Sequence, residues 1–214
     1  MTVFVFANGE IEGNAWLRPL LPQASLIIAA DGGTRHLFAL GRPPDVLIGD
    51  MDSLSPELEA WLAETAVSRI HHSPHKDETD LELALLYALT VSDAPIWVFG
   101  ALGGRLDQTL ANILLLAHPR LAGRQIELRT GRERAWLLGV GETAVSGQPD
   151  DLISLIPLGG DVGIQATTGL AWPLREETLV FGLARGVSNV MEAETATICV
   201  AQGQLLCVHT VGGW

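Results

Sequence analysis

Gly49-Asp50-Met51-Asp52-Ser53 follows directly on the apolar run Asp45-Val46-Leu47-Ile48. An expected strand therefore ends in two carboxylates one residue apart. Alternation along a strand sends Asp50 and Asp52 to the same side. Two like charges that close repel each other, and burial raises their pKa values further. A hard cation removes the conflict, and Mg²⁺ is commonly held by one or two carboxylates plus a substrate phosphate. The same run also fits a solvated loop in which Asp-Ser makes an ordinary turn.

Two further motifs favour the first reading. Lys76-Asp77-Glu78-Thr79-Asp80 opens a stretch in which Leu81, Ala84, Leu85, Ala88 and Leu89 share one helical face. Asp77 or Thr79 serves there as an N-cap, and acids suit the helix dipole. Lys76 does not suit it, but makes sense if it reaches for a phosphate while the acids reach for a metal. The third motif is Gly103-Gly104-Arg105-Leu106-Asp107-Gln108. Its glycines allow a ligand close to the backbone, a helix start favours anions, and Arg105 can grip phosphate oxygens with two prongs. Asp107 also fits a plain N-cap. Neither glycine run is a P-loop, because no Gly-Lys-Ser/Thr ending occurs. His71, His72 and His75 lack a cysteine or repeated acid at metal-ligand spacing, so no zinc site is expected. Gly-x-Ser-x-Gly is absent.

The elements that must position these residues alternate between strand and helix. Ser25 to Ala30 is a short apolar run ending at Asp31-Gly32-Gly33, before a helix that Gly41 closes. After the Asp45 to Ile48 strand, Ser55-Pro56-Glu57 places an N-cap, an N1 proline and an acidic first turn. Ile96 to Phe99 is another buried strand, running through the Gly100 loop into a helix from about Asp107 to His118. This order implies a mostly parallel sheet covered on both faces, with ligands at the carboxyl ends of the strands. Asp31, the Asp50/Asp52 pair and the Gly100 loop all fall at that edge.

The pattern changes after Thr130. Leu152–Ile156, Gly163–Thr168, Thr178–Phe181, Thr197–Val200 and Leu205–Val208 read as strands separated by glycine-rich turns, the pattern of an antiparallel sandwich or barrel. The expected division is an α/β domain over residues 1–132 and a β domain over 133–214, with the boundary between Thr130 and Gly141. Cys199 and Cys207 flank an expected hairpin near Gln202-Gly203 and read as reduced core thiols.

Composition limits the function classes. With 48% hydrophobic and 18% charged residues the chain is not disordered, and a net charge of -12 disfavours nucleic acid and anionic membranes as partners. That charge also opposes a phosphate-bearing substrate, so a divalent cation and local basic groups must reverse it inside any such site. Thr2-Val3-Phe4-Val5-Phe6-Ala7 has no basic lead-in and is too short to span a bilayer. It reads as a first strand, and a cytoplasmic location is expected.

Taken in order, the motifs resemble the thiamine pyrophosphokinase family, which moves a diphosphate from ATP to thiamine. The matching stretches are Asp31-Gly32-Gly33, Gly49 to Ser53, Lys76 to Leu81, Gly103 to Gln108 with Leu110-Ala111-Asn112, Thr168 to Leu174, and Gly186-Val187-Ser188-Asn189. They span most of the chain. Where many bacterial relatives carry a histidine, this chain has Gln108. The resemblance implies an α/β nucleotide-binding domain followed by a β-sandwich. It implies that Asp50, Asp52 and Asp80 hold Mg²⁺ against the triphosphate of ATP, with Asp31 and Asp107 close by. Lys76 and Arg105 would bind phosphate oxygens, Gln108 the nucleotide, and Asp77 and Asn112 belong to the same ATP motifs. Asp80 or Asp107 would serve as base. Thr168, Trp172, Ser188 and Asn189 would form the thiamine pocket, with Trp172 stacking on the aminopyrimidine ring. A homodimer with the thiamine site at its interface is implied as well. Two other readings use the same acids: a metal-dependent nucleotide or diphosphate hydrolase, and a module that senses Mg-ATP without turnover.

Overall fold

The apolar opening forms β1 (Thr2–Phe6), whose five residues are all buried. In the computed structural model, which describes residues 1–213, it sits inside a parallel sheet with β2 (Ala24–Ala30), β3 (Val46–Gly49), β4 (Ser68–His71), β5 (Ile96–Phe99) and β6 (Ile126–Arg129). The order is β6-β5-β1-β2-β3-β4, every pair parallel. Four helices complete this unit: α1 (Thr34–Leu40), α2 (Pro56–Ala63), α3 (Asp80–Val91) and α4 (Leu106–Leu115). The chain divides by its contacts into Met1–Gly131 and Arg132–Trp214, of which Trp214 lies outside the described residues.

Alternation explains how one sheet buries both faces. Phe4, Phe6, Ile27, Ala29, Leu47 and Phe99 join Leu37 and Leu40 of α1 and Leu62 of α2 in one core. The intervening Val3, Val5, Ile28 and Val98 are equally buried on the opposite side, where α3 packs on β1, β2 and β3. Local signals set the helix ends. The Ser55 hydroxyl accepts from Leu58 N at 3.3 Å ahead of Pro56, and Thr79 accepts from Glu82 N at 3.2 Å. Between Asp77 and Thr79, the cap of α3 is thus Thr79. The edge strand β4 carries no apolar alternation because it buries almost nothing.

The second unit holds two antiparallel layers. One is ordered β12-β9-β14-β7, from β7 (Glu133–Leu138), β9 (Leu152–Pro157), β12 (Asn189–Val190) and β14 (Leu205–Thr210). The other is β11-β10-β13-β8, from β8 (Gly141–Ser146), β10 (Val162–Thr168), β11 (Arg175–Leu179) and β13 (Thr195–Gln202). Their inward residues, among them Leu138, Val145, Leu155, Ile164, Ile198 and Leu205, form one sandwich core. The expected hairpin at Gly203 is corrected here. β13 pairs with β10 and β8, whereas β14 pairs with β7 and β9, so the Gly203 turn crosses from one layer to the other. Both cysteines are free. Cys207 is in the core, where burial pushes its thiol pKa up to about 12. Cys199 is only half-buried, with its sulfur 3.1 Å from Gln165 Oε1. The strand expected at Thr178–Phe181 lies earlier, because Phe181 N turns to Asp161 Oδ1 at 2.8 Å and leaves the ladder.

Candidate active site

Every strand of the first unit from β1 to β5 sends a loop to the same edge, and those loops wall a cleft of about 560 Å³. Asp31 follows β2, Asp50 and Asp52 follow β3, and Lys76 with Asp80 comes from the connection between β4 and α3. Arg105, Gln108 and Asn112 arrive with the Gly100 loop and α4. The cleft thus gathers eight of the sequence candidates. Asp77 and Asp107 are not part of its wall. Ser53 and Glu78, from the same motifs, also line it, as do Asn8, Glu10 and Arg35, which carry no motif that spacing would reveal.

The carboxylates converge by a route different from strand alternation. β3 ends at Gly49, Met51 takes a left-handed φ of 66°, and Asp52 N donates to Asp50 Oδ1 at 3.3 Å. The turn, not the pleat, brings the pair together. Gly49 is needed for crowding: a Cβ there would lie 2.8 Å from Asp31 Cβ and 3.2 Å from Asp80 Oδ1. One oxygen from each of Asp31, Asp50 and Asp52 lies within 4.8 Å of the others.

Asp31 is the anomaly. It is 4% exposed, sits at φ 41°, and its Oδ1 is buried with no hydrogen-bond partner among the described residues. Burial pushes its pKa up. The Ser53 hydroxyl counters this in part, while the charge of Asp80 adds to it. A buried, unpartnered carboxylate oxygen costs free energy that a cation would recover. Three converging carboxylates are an all-oxygen donor set, the preference of Mg²⁺, Ca²⁺ and Mn²⁺. The residues therefore fit a hard divalent cation.

Two of the cleft's cations are already paired with carboxylates. Lys76 Nζ donates to Asp80 Oδ1 at 2.6 Å. Arg105 donates from Nε and Nη2 to the two oxygens of Asp107, at 3.1 and 2.5 Å. Arg105 occupies the N-cap position of α4, so Asp107 is its partner and not a cap. The pairing raises the pKa of Arg105 and holds that of Asp107 below the ordinary carboxylate value. Asn112 is buried and donates to Ala101 O at 2.7 Å, which anchors the Gly100 loop.

The sequence profile of the thiamin pyrophosphokinase catalytic domain matches residues 17–128, and that of the vitamin B1 binding domain of thiamin pyrophosphokinase matches 144–205. The chain belongs to the thiamin pyrophosphokinase family. Thiamine pyrophosphokinase of Bacillus subtilis (strain 168) is 31% identical over 211 residues, 98% of each chain. The crystal structure of thiamine pyrophosphokinase from Bacillus subtilis has a TM-score of 0.88 at 27% identity, covering 99% of both chains. Thiamin pyrophosphokinase from Candida albicans shares the fold at 19% identity, with a TM-score of 0.86 over 98% of this chain and 90% of its own.

The match to the family's vitamin B1 binding domain contains Thr168, Trp172, Ser188 and Asn189. The Trp172 side chain is largely exposed, the residue being 58% accessible. Asn189 is buried and seats Trp172: its Oδ1 accepts from Trp172 N at 3.0 Å and its Nδ2 donates to Trp172 O at 2.7 Å. Ser188 has φ 59°, and its backbone N–H donates to Ser154 Oγ at 3.0 Å. Thr168 ends β10 and is exposed. Trp172 and Asn189 are thus brought into direct contact, through the tryptophan backbone and not its ring.

Proposed function

We propose that this family member transfers the terminal diphosphate of Mg-ATP to the hydroxyl of thiamine, giving thiamine diphosphate and AMP. The observation that carries the reading is the convergence of Asp31, with its buried oxygen unpartnered among the described residues, on Asp50 and Asp52 in the cleft that Lys76 and Arg105 also line. Asp50 and Asp52 hold Mg²⁺, with Asp31 completing the cluster and Asp80 adjoining it. Bound there, Mg²⁺ neutralises phosphate charge and polarises the transferring group. Lys76 and Arg105 bind phosphate oxygens, Gln108 contacts the nucleotide, and Asn112 keeps the Gly100 loop in place for it. Asp77 belongs to the same motif as Lys76 but lies outside the cleft wall.

The thiamine oxygen attacks the β-phosphorus in line, the bond from that phosphorus to the α–β bridging oxygen breaks, and AMP departs. The hydroxyl proton passes to a carboxylate. Both candidate acids are paired, Asp107 with Arg105 and Asp80 with Lys76, but only Asp80 lines the cleft, which makes it the nearer acceptor. Alignment of the two reactants supplies roughly 7–11 kcal/mol, so no strong base is needed. Trp172 offers a face to the cationic ligand, an interaction of about 0.5–2 kcal/mol, with Thr168 and Ser188 as polar neighbours.

A homodimer with thiamine at its interface agrees with unpartnered apolar surface. Leu106, Leu110 and Leu114 are 72%, 53% and 59% exposed along α4, and Phe181, Leu183 and Val187 are exposed in the second unit. No helix among the described residues is long and apolar enough to cross a membrane. The free thiols fit a cytoplasmic setting, and the acidic charge argues against nucleic acid. Incubation of the pure protein with ATP, Mg²⁺ and thiamine, followed by chromatography, is expected to yield AMP and thiamine diphosphate in equal amounts. AMP formed without thiamine would favour a hydrolase, and binding of Mg-ATP without AMP would favour a sensor.

A further inference from the structure

The loop after β1, Asn8-Gly9-Glu10, lies where the order of the sheet reverses. β1 has β2 on one side and β5 on the other, and chains leaving its two sides diverge to open a crevice. Two adjacent residues of α1 hold this loop. Arg35 Nη2 donates to the carbonyls of Asn8 and Gly9 at 2.8 and 2.9 Å. The Gly9 carbonyl also meets His36 Nε2 at 2.8 Å. A carbonyl only accepts, so His36 carries a proton on Nε2, and the contact persists in either charge state of the ring. From the far side Gly9 N donates to Gly100 O at 2.7 Å, and a Cβ at Gly9 would lie 2.8 Å from Leu102 O. The loop is clamped between α1 and the loop after β5, with no room for a side chain at its centre.

This bracing engages Arg35 without pairing its charge. Nη2 is engaged by two carbonyls, while Nε and Nη1, which face opposite sides of the group, make no hydrogen bond among the described residues. Lys76 is paired with Asp80 and Arg105 with Asp107, but Arg35 has no carboxylate within ion-pair distance among the described residues. Its guanidinium is exposed on the cleft wall. Two backbone carbonyls fix its plane, which lowers the entropy lost when the remaining donors take a ligand. We propose that Arg35 is a third phosphate-binding cation of the cleft, donating to the triphosphate of the nucleotide from Nε or Nη1 while His36 steadies the loop that orients it. The inference rests on the reading of the cleft as a Mg-ATP site.

Calorimetry on the full chain tests it with three probes in the presence of Mg²⁺: ATP, inorganic tripolyphosphate and AMP. Arg35→Gln is expected to weaken ATP and tripolyphosphate alike by about tenfold, because a charge-assisted contact is lost, and to leave AMP unchanged. Arg35→Lys, which keeps the charge but not the guanidinium that holds the loop and a phosphate at once, is expected to fall between. Equal weakening of all three probes together with a lower thermal midpoint would make Arg35 a structural brace only and overturn the proposal. Unchanged ATP affinity in Arg35→Gln would overturn it while leaving the Mg-ATP reading intact. Failure of the wild-type chain to bind Mg-ATP would overturn both.

Discussion

Asp31 and Asp151 are buried to almost the same degree, 4% and 3% exposed, yet their ionisation is pushed in opposite directions. Burial raises both. At Asp151 it is outweighed by the backbone N–H groups of Gly212 and Gln148, at 2.7 and 2.9 Å, and by His209 Nε2 at 2.7 Å. His209 is itself fixed. Arg134 Nε donates to its Nδ1 at 2.9 Å, so the neutral ring carries its proton on Nε2 and donates to Asp151. At Asp31, Ser53 and Gly32 are insufficient, one oxygen has no partner among the described residues, and Asp80 and Asp50 add repulsion. A satisfied buried carboxylate holds a structure together; an unsatisfied one beside two more acids is arranged for something that arrives from outside.

The strongest way to break this contrast is Asp52→Asn. If the cluster holds a divalent cation against the triphosphate, losing one ligand charge should cost about 10²–10³ in kcat, or roughly 3–4 kcal/mol of transition-state stabilisation. Circular dichroism should show an unchanged fold, because Asp52 is exposed and, among the described residues, its carboxylate accepts a hydrogen bond only from Ser53 Oγ, at 3.2 Å. Turnover near that of the wild type would remove the metal assignment.

The next effect is on stability, and its sign differs between the two sites. Asp151 has a lowered folded pKa, so its contribution is present above its unfolded value of about 3.9 and lost as pH falls through the folded value. Asp151→Asn should therefore destabilise the protein at pH 7 by about 3 kcal/mol, leaving a donor or acceptor unmatched in a buried network. Asp31 has a raised folded pKa. Its favourable contribution is present below about pH 3.9 and lost as pH rises through the folded value. Asp31→Asn should then stabilise the metal-free protein at pH 7, by about 1 kcal/mol, while lowering activity. Chemical denaturation of both variants with chelator present checks the pair. A loss of stability in metal-free Asp31→Asn would contradict the account of its orphaned oxygen.

The same contrast explains what could be read from the chain beforehand. Asp31, Asp50, Asp52, Lys76 and Arg105 were legible because each stands at the end of an apolar strand or the start of a helix, where short-range pattern locates it. The cause of the Asp50–Asp52 convergence was not legible, since the positive φ of Met51 is no property of methionine. Arg35 carried no signal because its partners, Asn8 and Gly9, are 27 and 26 residues away and are backbone atoms. The turn at Gly203 has hairpin chemistry, but whether two strands pair or part into facing layers depends on which others flank them. Asn189 was legible as a polar residue of a turn, yet its amide serves the Trp172 backbone across 17 residues.

That last placement carries the smallest expected effect and the sharpest test of whether the two units have separate duties. Trp172→Ala removes an exposed ring and leaves its backbone bonds to Asn189 in place, so the fold should be unaffected. Loss of stacking on a cationic ring is worth about 1 kcal/mol, which should raise the KM for thiamine by about fivefold to tenfold and leave that for ATP unchanged. Asn189→Ala frees the Trp172 peptide without touching the ring and should produce the same selective rise through lost orientation. A shift in the ATP requirement of either variant, with thiamine unaffected, would move the thiamine contact away from this end of the sandwich.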